Sequence, residues 1–264
     1  MMKFLKDKVA IITGAAGGLG YYQAMEYARQ GAIVVITDIQ KEKLKNTEKE
    51  LKEKGAEVLA ILSDISSKDE VNQLVEQTLE HFGHIDICVN NAAVLADFKP
   101  LGDITEDEWD RIMSVNLKGM YLLTHRLLPH FISRQEGVFI NVASIGGTIA
   151  GVGDGAYIAS KHGVIGLTRQ LTYDYAKDGI RAVALCPGLT RTPMVDYAIE
   201  DGHPQALRQV NSIASGQIGQ PEDVAFFSAY LASVRAKQIN GATMVMDGGQ
   251  SVGQEAKWVN PQHP

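Results

Sequence analysis

The chain reads as α/β, a doubly wound parallel sheet with helices on both faces. Three observations predict it. Seven short apolar runs alternate with longer amphipathic segments along the 264 residues. Several runs are apolar on both faces, as strands are when helices cover both sides of a parallel sheet. The alternation is strict and no low-complexity linker interrupts it, the order expected of a doubly wound fold. Residues 1–264 are therefore expected to form a single domain.

The elements follow in order. KVAIIT (8–13) is the first strand, and the glycine-rich TGAAGGLG (13–20) turns from it into the first helix. AIVVITD (32–38) and EVLAIL (57–62) are the second and third strands. Between them KEKLKNTEKELKEK (41–54) mixes charges of both signs, as the wet face of a helix does. Ser67 with Glu70 spells a capping box before the next helix, which leads to the strand IDICVN (85–90). Thr105 with Glu108 spells a second box, opening one long helix to about Phe131 with Pro129 near its end. GVFINVAS (137–144) is the fifth strand, and a helix over 156–177 separates it from IRAVALC (180–186). Pro221, followed by Glu222 and Asp223, fits a first helical turn before the last strand, ATMVMD (242–247).

Composition excludes several classes of function. Net charge is −6, and no stretch concentrates Lys and Arg with aromatics, which speaks against nucleic acid as a partner. No apolar run is long enough to span a membrane, and MMKFLKDKV lacks the apolar core of a signal peptide, so a cytoplasmic protein is expected. Cys88 and Cys186 lie in strand-like runs and read as buried thiols rather than a disulfide. His162 and His203 have no ligand-spaced partners, so no catalytic metal is expected.

Two patterns carry chemistry. In TGAAGGLG, Gly14, Gly18 and Gly20 allow a tight turn and close backbone approach, and the helix N-terminus behind them favours an anion. The alternative is a turn needed only for packing. Asp38 ends the second strand, where a carboxylate can accept both hydrogen bonds from an adenosine ribose and repel a 2′-phosphate. The turn GAAGGLG holds no Arg or Lys, and Ile39 and Gln40 are uncharged, so the pattern favours NAD over NADP. Asp38 could instead cap the following helix. The second pattern is YIASK, which sets Tyr157 and Lys161 one helical turn apart. A cation at about 5 Å, at an effective dielectric near 20, would lower a phenol pKa by roughly two units. YDYAK repeats the spacing with Tyr173 and Lys177, so the pair alone decides nothing.

With these motifs in order, the sequence resembles the short-chain dehydrogenase/reductase family over about residues 6–250. The resemblance rests on TGAAGGLG, Asp64 in SDIS, NNAA (90–93), Asn116 in SVNLKG, Ser144 in NVASIGG, YIASK, CPG (186–188), TPM (192–194) and MDGG (246–249). It implies a Rossmann-like fold and selects the first Tyr–Lys pair, because Tyr173 lies about 24 Å further along the same helix at 1.5 Å per residue. It implies that Tyr157 moves the alcohol proton, that Lys161 lowers the phenol pKa and holds the nicotinamide ribose, and that Ser144 binds the substrate oxygen. Asn116 would anchor a water linking Lys161 to solvent. NAD would be held by Gly14, Gly18, Leu19, Gly20, Asp38, Asp64, Ile65, Asn91, Pro187, Gly188 and Thr192, besides Tyr157 and Lys161. Asn90 would fix the backbone beside it. Simple turn chemistry is the competing account of Thr192. Ala93 departs from the family's usual glycine and would be strained at positive φ. Tyr21 and Tyr22 stand where smaller residues are frequent and read as packing or cofactor-edge residues.

The segments 94–103 and 145–156 and a lid over about 189–212 are expected around a small-molecule substrate. They offer Leu95, Phe98, Ile145, Ile149, Val152, Met194, Val195, Tyr197 and Ile199, which suits a cyclic or hydrophobic secondary alcohol or ketone. The resemblance also implies a homotetramer, and Trp258 in the tail 253–264 could dock on a neighbour. Two other functions compete. A ketoacyl-carrier reductase would use NADPH and a basic surface around Lys118 and Arg126. A dinucleotide-binding sensor or scaffold would have no turnover.

Overall fold

The computed structural model describes residues 3–95 and 98–253. Seven strands, β1 (Val9–Thr13), β2 (Ile33–Asp38), β3 (Val58–Leu62), β4 (Ile87–Asn90), β5 (Gly137–Val142), β6 (Ile180–Pro187) and β7 (Thr243–Met246), pair in parallel in the order β3-β2-β1-β4-β5-β6-β7. Each expected strand is present. The order reverses between β1 and β4, and the crevice beyond their carboxyl ends is where an open α/β sheet binds ligands.

Strand alternation builds two cores. Ala10, Ile12, Val34, Ile36, Val89 and Val183 face one side with Ala24 and Tyr27 of α1 (Gly18–Arg29), Leu44 and Leu51 of α2 (Lys41–Glu53) and Val224 of α9 (Pro221–Ala232). Val9, Ile11, Val35, Cys88, Phe139 and Ala182 face the other. There Leu74 of α3 (Lys68–Phe82), Leu123 and Leu127 of α5 (Met120–Arg134) and Leu171 of α6 (Gly155–Tyr175) cover them. The charge-dense stretch is α2, laced on its wet side by pairs such as Lys52–Glu48 at 2.6 Å. Both cysteines are buried and free.

Two expectations are corrected. The long helix is not uniform: α4 (Glu106–Met113) and α5 are joined by a π turn, Ser114–Gly119, and α5 runs through Pro129 to Arg134. The Thr105–Glu108 capping box is complete, but the Ser67–Glu70 box is only half formed. Ser67 accepts from Glu70 N, while the Glu70 carboxylate reaches past it to Asp64 N at 2.8 Å. Two helices, α7 (Pro193–Glu200) and α8 (Pro204–Ser212), follow β6 in the segment expected as a lid. No helix among the described residues is long and apolar enough to cross a membrane. Trp258 and most of the tail lie outside the described residues.

Candidate active site

The glycine turn sits at the reversal point. Thr13 Oγ1 accepts from Asn91 N and Ala92 N, each at 3.0 Å, and Asn91 Nδ2 donates back to Thr13 O at 2.9 Å. The two lips of the crevice are thus stitched together. Gly14 has φ +67°, and a Cβ there would stand 2.8 Å from Ala92 Cα; one on Gly20 would stand 2.1 Å from Gly14 O. These two glycines let the turn fold on itself, whereas Gly17 and Gly18 face open space. No side chain caps the N-terminus of α1, and its first turn carries no acid. An uncapped helix end behind open glycines fits an anionic pyrophosphate. Asp38 is fixed against the same turn, with Oδ2 accepting from Ala16 N (3.1 Å) and Oδ1 from Gln40 N (2.9 Å). Ile39 beside it is 65% exposed and uncharged. The residues present therefore fit a dinucleotide.

Beyond β5, Ser144 is extended and its Oγ accepts from Gly146 N at 3.0 Å. Asp154 caps α6 by accepting from Tyr157 N at 2.9 Å. That cap sets Tyr157 in the first turn, with its phenol and the Ser144 side chain lining one cavity and close enough for Ser144 to bear on the phenol's titration. Gly153 is required here, because a Cβ would stand 2.7 Å from the Tyr157 ring. Lys161, one turn on, is 3% exposed, with Nζ 5.5 Å from the centre of that ring.

The electrostatics differ from the expectation that Lys161 lowers the phenol pKa. Burial pushes the Tyr157 phenol up, the Ser144 hydrogen bond opposes the shift, and the charges of Asp154 and Cys186 add to it. Lys161 itself is pulled down to about 8 by burial, and its ammonium is spent on Val142 O at 2.8 Å. The desolvation cost of a phenolate is the largest cause of the shift, and Lys161 is not among the groups that move it. Tyr157 in this protein is held as a phenol, the proton-donating form.

Asn116, on the π turn, uses its side chain as a clamp. Oδ1 accepts from Val94 N (2.7 Å), and Nδ2 donates to Val94 O (2.9 Å) and Ser160 Oγ (3.2 Å). Ser160 Oγ in turn donates to Tyr157 O at 2.7 Å. The Asn116 side chain thus joins Val94 to α6. Asn91, rather than Asn90, holds the backbone of the glycine turn. Asn90 donates to Asn141, which donates to Thr168, in a buried line under the site. Asp64 Oδ1 accepts from Ser66 N and Oγ in a local turn. The Ile65 side chain is buried and packs where Gly119 leaves room. Thr192 Oγ1 accepts from Val195 N at 3.4 Å, the turn role weighed for it. Gly188 is crossed closely by Asp247, whose Cβ a methyl there would meet at 2.7 Å. Ala93 is not among the described residues with positive φ, so its methyl carries no backbone strain. Tyr21 points away, bonding Glu50 with its hydroxyl at 2.8 Å, and Tyr173 is 86% exposed.

A cavity of about 270 Å³ opens onto the Ser144 and Tyr157 side chains, with Lys161 beside them. Leu19, Asn91, Pro187, Gly188 and Thr192 line its cofactor side, and Leu95, Phe98, Ile145, Val152 and Val195 line the rest. Ile149 and Ile199 are not on its wall, and the side chains of Met194 and Tyr197 lie outside the described residues. Val94, Leu189, Thr190 and Gln209, inside the segments expected around the substrate but not singled out in them, also line it, and Val142 and Ala143 line it from outside those segments. Among the described residues, no group of three or more His, Cys, Asp or Glu could hold a metal ion.

Known proteins share this architecture. A family model described as Enoyl-(Acyl carrier protein) reductase matches residues 14–251. The chain is 36% identical over 250 residues to 3beta-hydroxysteroid dehydrogenase 2 of Eggerthella lenta, covering 94% of this chain and 96% of that one. It is 35% identical to the 3-oxoacyl-acyl-carrier-protein reductase FabG of Thermotoga maritima, covering 93% and 98%. The crystal structure of 3-ketoacyl-(acyl-carrier-protein) reductase from Brucella melitensis complexed with NADH superposes with a TM-score of 0.84 at 35% identity, covering 94% of this chain and 99% of that one.

Proposed function

The chain belongs to the short-chain dehydrogenase/reductase family, and on that premise we propose that it is an NAD(H)-dependent oxidoreductase of cyclic or hydrophobic secondary alcohols and their ketones. Family membership makes it an alcohol/ketone oxidoreductase; the substrate class and the choice of NAD are this article's reading. The observation that carries the reading is the Ser144–Tyr157 hydroxyl pair facing a largely apolar cavity, with the buried Lys161 beside it. Asp38, pinned by backbone N–H groups next to the glycine turn, supports NAD.

The bound nicotinamide supplies or takes the hydride. In ketone reduction Tyr157 donates its proton to the carbonyl oxygen as negative charge develops there, and Ser144 donates a hydrogen bond to the same oxygen. In alcohol oxidation both act in reverse. Lys161 keeps a positive charge near the phenol and offers ammonium protons to a ribose. Leu95, Phe98, Ile145, Val152 and Val195 exclude water and favour a hydrocarbon frame. Asp38 receives the adenosine ribose and disfavours a 2′-phosphate.

NADH formation across sterols, cyclic alcohols, polyols and sugars tests the proposal. Turnover is expected with ring or long-chain secondary alcohols, and greater thermal stabilisation by NAD than by NADP. Preference for NADP, or for polyols, would overturn it. A ketoacyl-carrier reductase, the activity named for the Thermotoga maritima relative, would show both NADPH preference and carrier-protein dependence. The surface proposed for such a carrier is compromised here, since Arg126 faces Glu76 at 3.4 Å.

A further inference from the structure

The lid helix α8 presents one residue that packing does not explain. Its inward stripe is Ala206 and Gln209, continued by Ile213 just beyond the helix, and all three are buried. Two of these are apolar, as a packing stripe requires. Gln209 is 8% exposed and lines the cavity that holds Ser144 and Tyr157. Its main-chain carbonyl is fixed from two sides, accepting from Ser212 Oγ at 2.8 Å and from Gln250 Nε2 at 3.4 Å. Gln250 is itself buried and also accepts from Leu189 N at 3.1 Å, tying α8 to the end of β6. The backbone under Gln209 is therefore anchored. The residue as a whole is more than nine-tenths buried, yet its side-chain carboxamide makes no hydrogen bond to any described residue, and its polar atoms are not sealed off but remain accessible where Gln209 lines the cavity. A carboxamide offers two donors and an acceptor, and here none of them is engaged by the protein, so all are available to a molecule in the cavity.

We infer that Gln209 is a specificity-determining residue whose carboxamide hydrogen-bonds a second polar group of the substrate, apart from the reacting carbonyl or alcohol. The second group is neutral, a further carbonyl or hydroxyl. Among the described residues the charged side chain on the cavity wall is Lys161, already bonded to Val142 O, so a carboxylate or phosphate would be desolvated there without a free counter-charge. The substrate is thus a mostly hydrocarbon frame carrying two oxygen functions. This rests on the oxidoreductase reading given above and sharpens its substrate class.

The test compares cyclohexanone with cyclohexane-1,2-, 1,3- and 1,4-dione as substrates for the wild type, Gln209→Met and Gln209→Leu, following NADH consumption and thermal unfolding. The wild type is expected to favour at least one dione over cyclohexanone in kcat/KM. Gln209→Met should erase about tenfold of that preference, chiefly through the dione's KM, with cyclohexanone unaffected or improved. Both variants should melt no lower than the wild type, because an apolar side chain of similar volume suits the stripe. An unchanged dione-to-cyclohexanone ratio in the variants overturns the inference and leaves the oxidoreductase reading intact. A wild type that reduces none of the four overturns the inference together with the reading it rests on. If a variant fails to fold, stabilisation of the wild type by cyclohexanone equal to that by every dione overturns it too.

Discussion

Tyr157 and Lys161 show how burial governs a site whose motif is plain in the sequence. The spacing predicts the pair, but not the sign of the phenol shift, because desolvation and the Asp154 cap depend on the fold. A phenol pushed upward remains protonated through neutral pH. The reduction rate should therefore stay flat between about pH 6 and 8, while oxidation, which needs the phenolate, climbs towards tenfold per unit. A pH-independent oxidation rate over that range would contradict the assignment. Lys161 gives a second prediction. Its pKa is about 8 when folded against 10.5 ordinarily, so between those values the unfolded chain holds the proton that the folded chain has lost. The Lys161 contribution to stability then rises with pH across this window, against the fall above about pH 9 from Cys88 and Cys186, whose buried thiols are pushed up. Lys161→Met should abolish that rise and gain on the order of 1 kcal/mol at pH 7, after allowing for the lost bond to Val142 O. It should also lose activity. Melting curves from pH 7 to 10.5 check the first part and NADH formation the second.

At the scale of elements, the strands were legible because they are short apolar runs, several of them apolar on both faces, set between turn signals and amphipathic segments. The π turn was not. SVNLKG has an ordinary helical pattern, and the widened turn becomes visible only when Asn116 is found reaching back to Val94. The half-formed box at Ser67 was hidden for a similar reason: a nearer donor, Asp64 N, competes for Glu70. The clamp makes a prediction at this scale. Asn116→Ala unpairs Val94 and Ser160, and should cost about 1–3 kcal/mol of stability and raise substrate KM. Chemical denaturation and steady-state kinetics measure both. A silent substitution would mean that the π turn does not position the loop. The glycine turn was legible as a motif, yet the division of labour within it was not. Gly14 and Gly20 serve close packing, and Gly17 and Gly18 leave open space.

For the whole molecule, the doubly wound parallel sheet and the carboxyl edge as its ligand side follow from β–α alternation, so the chemistry could be placed at that edge before any contact was known, whereas the strand order β3-β2-β1-β4-β5-β6-β7 is visible only in the structure. The cavity wall was less legible. Gln209 sits in a segment whose sequence offers no motif, and only its place on the cavity wall, with a carboxamide no described residue engages, marks it. Exposed Trp109 and Tyr121 on α4 and α5, and Val245 on the edge strand β7, are surfaces on which copies of this chain could assemble. We expect a particle of four chains by light scattering, reduced in mass by Tyr121→Arg or Val245→Arg; a monomeric wild type would contradict this. The central claim is that one phenol exchanges the proton while hydride passes to or from NAD. Its most direct test is Tyr157→Phe, assayed for NADH formation from a secondary alcohol that the wild type oxidises, with NAD binding followed by thermal shift. The account predicts a loss of about 10²–10⁴-fold in kcat/KM with NAD binding retained. An undiminished rate in the variant would contradict it.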